Sequence, residues 1–293
     1  MTFVELQDVI KIYKPENEIL EVPALRGIDL NFDESELVTI IGPSGSGKST
    51  LIKIIGGIEL PSSGTISVEG TGIINKLKNK DLINYRRQTV GFLYQFPEKN
   101  LLPSLSALEN VMLPMRIVGK LPRKPRKQRA LELLSAVGLA NRQGHHLSQL
   151  SGGEAQRVSI AVSLANNPKI VLADEPTGEL DSETTFKIID YFKELNKNYG
   201  VTFIVVTHDE RFALMTEKTY KIRDGRIYGL HRRIKSSIDS SISPSKREHL
   251  IYVDRQGNLR LPDEMRKEAK IQNHVVIRFD KDKGILEVIP RND

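Results

Sequence analysis

"ELVTIIGPSGSGKSTLIKIIGGI", Glu36 to Ile58, is the stretch on which the fold turns. Its opening is a short apolar run rich in β-branched residues, the composition of a buried strand. Its close, "LIKIIGGI", is a helical run. Between them "GPSGSGKST", Gly42–Thr50, satisfies G-x-x-x-x-G-K-[ST]. Gly42, Gly45 and Gly47 admit backbone shapes and close approaches that a side chain would block. With Pro43, Ser44, Ser46 and Thr50 they make a loop whose N–H groups, together with the helix N-terminus, form a concave anion site. Lys48 then places a positive charge on β and γ phosphates, and Ser49 offers a hydroxyl to Mg²⁺. A glycine-rich turn with a chance lysine is the competing reading, and the strand before and helix after weigh against it. The stretch predicts a nucleoside triphosphate site.

Two more apolar strands lie downstream, "KIVLADEP" (Lys169–Pro176) and "VTFIVVTHD" (Val201–Asp209). Each delivers polar residues at its C-terminal end, where open α/β sheets bind ligands. Asp174 ends its strand, so its carboxylate is expected to reach Mg²⁺ through water. Glu175 comes next but leaves the strand in another direction, and is the natural general base for an attacking water. His208 ends the other strand, where a lone histidine is more often structural, and its company with the other motifs is what makes it an expected γ-phosphate sensor. From about residue 96 to 165 the strand signal gives way to helical periodicity, as in "SALENVMLPMRIV" and "GGEAQRVSIAVSLANN", which predicts an inserted helical subdomain. Within it "LSGGE" (Leu150–Glu154) makes a second exposed helix N-terminus. Ser151 and Glu154 form a capping-box pattern, but capping does not require both Gly152 and Gly153. One triphosphate seldom needs two such cradles, so the second is expected to face the nucleotide of another copy.

These residues resemble the ATP-binding cassette (ABC) ATPases. "LSGGE" matches that family's signature, Gln95 in "GFLYQF" its Q-loop, "GELD" (Gly178–Asp181) its D-loop, and His208 its switch histidine. Tyr13 in "KIYK" lies where the family places an aromatic that stacks on adenine. The resemblance implies an α/β P-loop fold of ABC type, a core sheet with flanking helices plus an inserted helical subdomain, with ATP and Mg²⁺ as cofactors. It implies catalytic roles for Glu175, His208, Gln95 and Lys48, metal contacts from Ser49, Gln95 and Asp174, and a D-loop role for Asp181. Ser151, Gly152, Gly153 and Glu154 of one copy would close on the P-loop of the other. "LLPSLSALENVMLP" and "LADEPTGELD" look most like the ATPase subunits of lipoprotein-release and macrolide-exporter systems. That likeness implies a homodimer on the cytoplasmic face of the cell membrane, driving a separate integral-membrane permease by closing and opening with ATP. Three positions depart from the pattern. "FPEKNLLP" after Gln95 is longer than usual, Val162 stands where an Arg is customary, and Glu179 replaces an Asn.

The 293 residues, 39% hydrophobic and 27% charged, bound one or two globular domains. No apolar run approaches the roughly 18 residues that span a bilayer, the N-terminus carries no secretory pattern, and disulfides are excluded because there is no Cys. The net charge of +6 is concentrated in residues 231–248, a Ser-rich segment with five Lys/Arg against two Asp/Glu, expected to be a linker between a nucleotide-binding domain at 1–230 and a tail at 249–293. The basic stretch "GKLPRKPRKQR", Gly119–Arg129, is expected as a solvated loop between helices.

The tail begins "IYVDRQGNLRLPDEMRKEAK" (Ile251–Lys270): strand, Gly turn, strand, helix, then a hairpin. So short a piece cannot bury a sound core alone, and the symmetric partner is a second copy of itself. It resembles the AbrB/SpoVT-type swapped-hairpin domains, which implies a mainly-β dimerisation domain holding the homodimer together. Two alternatives stay open: a soluble, non-transport ABC ATPase, and an ATP-sensing regulator whose tail binds DNA. The tail's near-neutral charge argues against DNA.

Overall fold

The structure is a computed structural model and describes residues 2–14, 21–178, 180–233, 247–251, 253, 259, 261, 263–271, 274–280 and 285–291. In chain order it opens with β1 (Thr2–Tyr13), β2 (Val22–Asp33), β3 (Leu37–Ile41), α1 (Lys48–Ile55), β4 (Ser63–Val68) and β5 (Gly72–Ile73). Then come α2 (Asn79–Gln88), β6 (Val90–Leu93), α3 (Ala107–Val118), α4 (Arg123–Ala136) and α5 (Gly152–Ser163). The remainder is β7 (Ile170–Asp174), α6 (Ser182–Tyr199), β8 (Thr202–Thr207), α7 (Glu210–Met215), β9 (Lys218–Arg223), β10 (Arg226–Arg233), β11 (Arg247–Ile251), α8 (Asp263–Glu268), β12 (His274–Asp280) and β13 (Ile285–Arg291).

The central sheet has seven strands in the order β11-β10-β9-β3-β8-β7-β6. From β9 to β6 every pairing is parallel, and β10 and β11 add antiparallel at one edge. The runs predicted as buried strands are these: all six residues of β8 are buried, as are the first four of β7. Neither alternates polar with apolar, because both faces of a parallel sheet are covered. One face packs α1 and a second sheet, β2-β1-β4-β5, around Leu6, Ile28, Phe32, Ile40, Leu51 and Ile54. The other packs α3 to α7 around Val111, Leu133, Val158, Phe192 and Phe203.

The second sheet is antiparallel and was not legible in the sequence. Its long strands β1 and β2 are paired with several register shifts, and Asp8 sits at φ 47. Each bulge flips the side-chain alternation that would mark a strand. The basic stretch expected as a loop is also corrected: from Arg123 onward it is the start of α4, with Pro122 at the N-cap. Pro125 falls in the first turn, where a missing N–H costs nothing.

Strand pairing reaches into both ends of the expected linker. β10 runs on to Arg233, and β11 pairs with it from Arg233↔Arg247 to Gly229↔Ile251. Residues 234–246 lie outside the described residues, as do the two expected tail turns at 254–258 and 281–284. Around them Val253 bridges Leu259 antiparallel, α8 comes after, and β12 pairs with β13. The register of that hairpin puts Val275 opposite Pro290, Ile277 opposite Val288 and Phe279 opposite Leu286, so one face is wholly apolar. Ile277, Phe279 and Leu286 are 61%, 60% and 52% exposed in the single chain.

Candidate nucleotide-binding site

The C-terminal ends of β3, β7 and β8 open into a cleft of about 650 Å³ lined by Gly45, Lys48, Ser49, Gln95, Glu175 and His208, among others. These are residues that the sequence motifs single out, and the parallel register explains why they meet. β3, β8 and β7 lie side by side, so the turns at their C-terminal ends converge on one rim.

The loop after β3 is built to approach something closely. Gly47, at the N-cap of α1, has φ 100, and a Cβ there would stand 2.5 Å from the carbonyl oxygen of Ala24. No other residue fits both constraints. Lys48 is almost buried and donates to the carbonyls of Gly42 and Pro43 at 2.8 and 3.0 Å, so its ammonium lies folded within the loop. The hydroxyl of Ser46 is buried without a protein partner among the described residues.

Ser49 Oγ donates to Asp174 Oδ1 at 2.9 Å, so the two oxygen donors expected to serve Mg²⁺ are adjacent. Burial pushes the Asp174 carboxyl up, the Ser49 hydroxyl opposes this, and the neighbouring Glu175 carboxylate adds to it. A desolvated carboxylate beside a hydroxyl at the mouth of a phosphate loop is a hard donor set that a divalent cation would stabilise. The residues therefore fit the metal.

Glu175 has φ 48, in the left-handed region that a non-glycine residue adopts only under local constraint. Its N–H donates to Val206 O at 2.8 Å, turning the chain so that the side chain reaches the end of β8. There Oε2 accepts from Thr207 Oγ1 at 2.9 Å and from the His208 N–H at 3.1 Å, and lies 2.9 Å from His208 Nδ1. Its Oε1 is 3.5 Å from Lys48 Nζ. Glu175, His208 and Lys48 thus form one connected polar group. Thr207 was not singled out from the sequence. Its hydroxyl also accepts from the Asp209 N–H at 3.0 Å, so it locks both the carboxylate and the adjoining turn.

Gln156 was missed as well. Buried in α5, its Nε2 donates to Pro176 O at 2.8 Å and Tyr94 O at 3.3 Å, tying the helix to the segments carrying Glu175 and Gln95. A glutamine among apolar helix positions was the available signal. The long segment after Gln95 is taken up by a 3₁₀ turn, Pro97–Lys99. Asn100 closes it by accepting from the Tyr94 N–H and donating to Phe92 O.

Ser151, Gly152, Gly153 and Glu154 do not line this cleft. Ser151 caps α5 by accepting from the Glu154 N–H, and Glu154 accepts from the Ser151 N–H, which with Arg142 holds its carboxyl below the ordinary range. Ser151 and Gly152 are exposed. Asp181 caps α6 through Thr184, which depresses its carboxyl too. Glu179 lies outside the described residues, and Val162 is partly buried on α5. Tyr13, last residue of β1, meets the P-loop through Thr50, its hydroxyl 3.4 Å from Thr50 Oγ1.

Residues 25–178 match the family model described as ABC transporter. The chain is 44% identical over 203 residues to the lipoprotein-releasing system ATP-binding protein LolD of Bacteroides fragilis, covering 69% of this chain and 92% of that one. An ABC transporter ATP-binding protein of Thermotoga maritima is 47% identical over 230 residues, 78% of this chain and 95% of its own length. Among solved structures, the dimeric post-hydrolysis state of the ATP-binding cassette MJ0796, bound to ADP and Pi, superposes with a TM-score of 0.70 at 42% identity, covering 78% of this chain and 98% of that one. MJ0796 comes from Methanocaldococcus jannaschii. With the P-loop, the Asp174–Glu175 strand end and the capped "LSGGE" helix all in place, the chain belongs to the ABC transporter family, as an ATP-hydrolysing subunit of the LolD-like type.

Proposed function

We propose that two copies of this chain sandwich two ATP molecules and drive a separate integral-membrane permease from its cytoplasmic side. The observation that carries this is the separation of two anion cradles. The loop at Gly42–Thr50 opens into the cleft, whereas the N-terminus of α5 lies outside it, with Ser151 and Gly152 exposed. A site divided in this way is completed by a second copy across a two-fold axis. Among the described residues no helix is long and apolar enough to cross a membrane, so the translocation path would come from another chain.

Within each site, Lys48 and the loop N–H groups hold the phosphates, and Ser49, Asp174 and Gln95 would hold Mg²⁺, which would supply charge neutralisation to the phosphates. Glu175 takes the proton of the attacking water, and His208, joined to it, senses the γ-phosphate. Asp181 fixes the start of α6 beside the dimer face. Glu154 holds the signature turn by capping α5. Phosphoryl transfer asks for positioning and charge more than for covalent chemistry, and the left-handed turn at Glu175 provides the positioning. The test is a pull-down of tagged Glu175→Gln protein from native membranes with ATP and Mg²⁺. A multi-spanning protein in fixed stoichiometry is the expected catch, and a soluble partner or DNA alone would overturn the permease reading.

The tail expected at 249–293 gives its first three residues to β11, and residues 252–293 are proposed to be an AbrB/SpoVT-like domain that keeps the two copies together when ATP is absent. The order bridge, helix, hairpin supports this, as does the apolar face of β12 and β13. A two-stranded hairpin is marginal by itself. A like face from a second copy would cover it and turn the encounter of two cassettes into an intramolecular one. The nucleotide-free chain is expected to sediment as a dimer, and Ile277→Asp with Phe279→Asp as a monomer. Equal sedimentation of the two would remove the tether.

A further inference from the structure

Tyr13 is held by more than its own strand. Its hydroxyl donates to Glu59 Oε2 at 2.6 Å. Glu59 is itself pinned: Lys53 Nζ lies 3.5 Å from Oε1, and Lys11 Nζ lies 3.7 Å from Oε2. Lys11 also donates to Leu60 O at 2.9 Å and stands 5.1 Å from the centre of the Tyr13 ring, covering one of its faces. The backbone beneath is equally fixed. The Glu59 N–H folds back onto Lys53 O, and the Ser62 N–H donates to Ile10 O on β1. Burial, with the Glu59 carboxylate second, raises the phenol's ionisation above its usual value, so it stays a donor.

We propose that Glu59 is a positioning residue for the nucleotide base, and that Lys11 backs the platform it sets. The inference rests on the reading of Tyr13 as the aromatic that stacks on adenine. A ring on two rotatable bonds makes a poor platform unless its plane is fixed. The phenol–carboxylate bond fixes the ring edge, the Lys11 ammonium occupies one face by cation–π attraction, and the other face is left for the base. The contact with Thr50 sets the platform's distance from the helix N-terminus that takes the phosphates. Glu59 touches neither base nor phosphate, and it acts through Tyr13.

Equilibrium titration of the full-length protein with ATP, and separately with tripolyphosphate, tests this. Glu59→Ala is expected to weaken ATP about three- to tenfold, less than the loss of a direct charged contact, because Glu59 acts only through the ring it fixes. Tripolyphosphate, which has no base, should be unaffected. Glu59→Gln keeps an acceptor for the phenol and should recover most of the affinity. Tyr13→Phe should reproduce the loss, with no further loss when combined with Glu59→Ala. If Tyr13→Ala weakens ATP and Glu59→Ala does not, the positioning role is wrong while the stacking reading stands. If Glu59→Ala weakens both ligands alike, Glu59 merely supports the loop. If Tyr13→Ala leaves ATP binding intact, the stacking reading fails and the inference falls with it.

Discussion

Glu175→Gln is expected to lower ATP turnover by about 10²–10⁴-fold while leaving ATP binding in place, the range for losing a general base. The substitution keeps the shape of the side chain, so the Thr207 hydroxyl and the His208 N–H retain an oxygen to donate to. It removes the proton acceptor and the charge beside Lys48. Relief of that charge should favour the closed, ATP-filled dimer. Size-exclusion chromatography with ATP, alongside phosphate release, checks both halves. Rapid multiple turnover by the variant would mean that the water is activated elsewhere.

Lys48→Ala is expected to weaken nucleotide binding about 100-fold, because an ammonium that would meet two phosphates carries hydrogen bonds of ~1.5–3 kcal/mol each. The loss arises on the bound side. The ammonium also donates to the carbonyls of Gly42 and Pro43, which hold it at the loop. Truncation frees those carbonyls and leaves Glu175 without its cation, which should loosen the loop as well. Titration with ATP at fixed Mg²⁺ measures the first effect, and hydrogen exchange at residues 42–50 the second. Wild-type affinity in Lys48→Ala would place the phosphates outside the loop.

The range of each interaction along the chain decides how much of the fold and the site was legible in the sequence. The P-loop and the strands β7 and β8 could be recognised because neighbours in sequence specify them: an apolar run, then glycines or a carboxylate at its end. The same holds for the α5 cap, since Ser151 and Glu154 are three residues apart. Pairings across long separations could not be recognised. Thr207 meets Glu175 from another strand, Glu59 meets Tyr13 from the loop after α1, and Gln156 reaches two segments that only the helical packing brings near. The left-handed turn at Glu175 is imposed by the end of β8 and leaves no mark in composition. Likewise α4 is a helix in spite of two nearby prolines, because each falls where a helix begins.

The strand β11 gives the sheet a finished margin. Its outer strands are β11, five residues long, and β6, four, both too short to template the growth of a foreign strand. Peeling β11 away would expose the outer edge of β10 from Gly229 to Arg233, adding its freed amides and carbonyls to an eight-residue strand. A shortened chain ending at residue 230 would both cut into β10 and uncover it, and self-association through that raw edge would then imitate a genuine dimer. The natural place to divide the molecule is after Ile251, where the cassette keeps its hem.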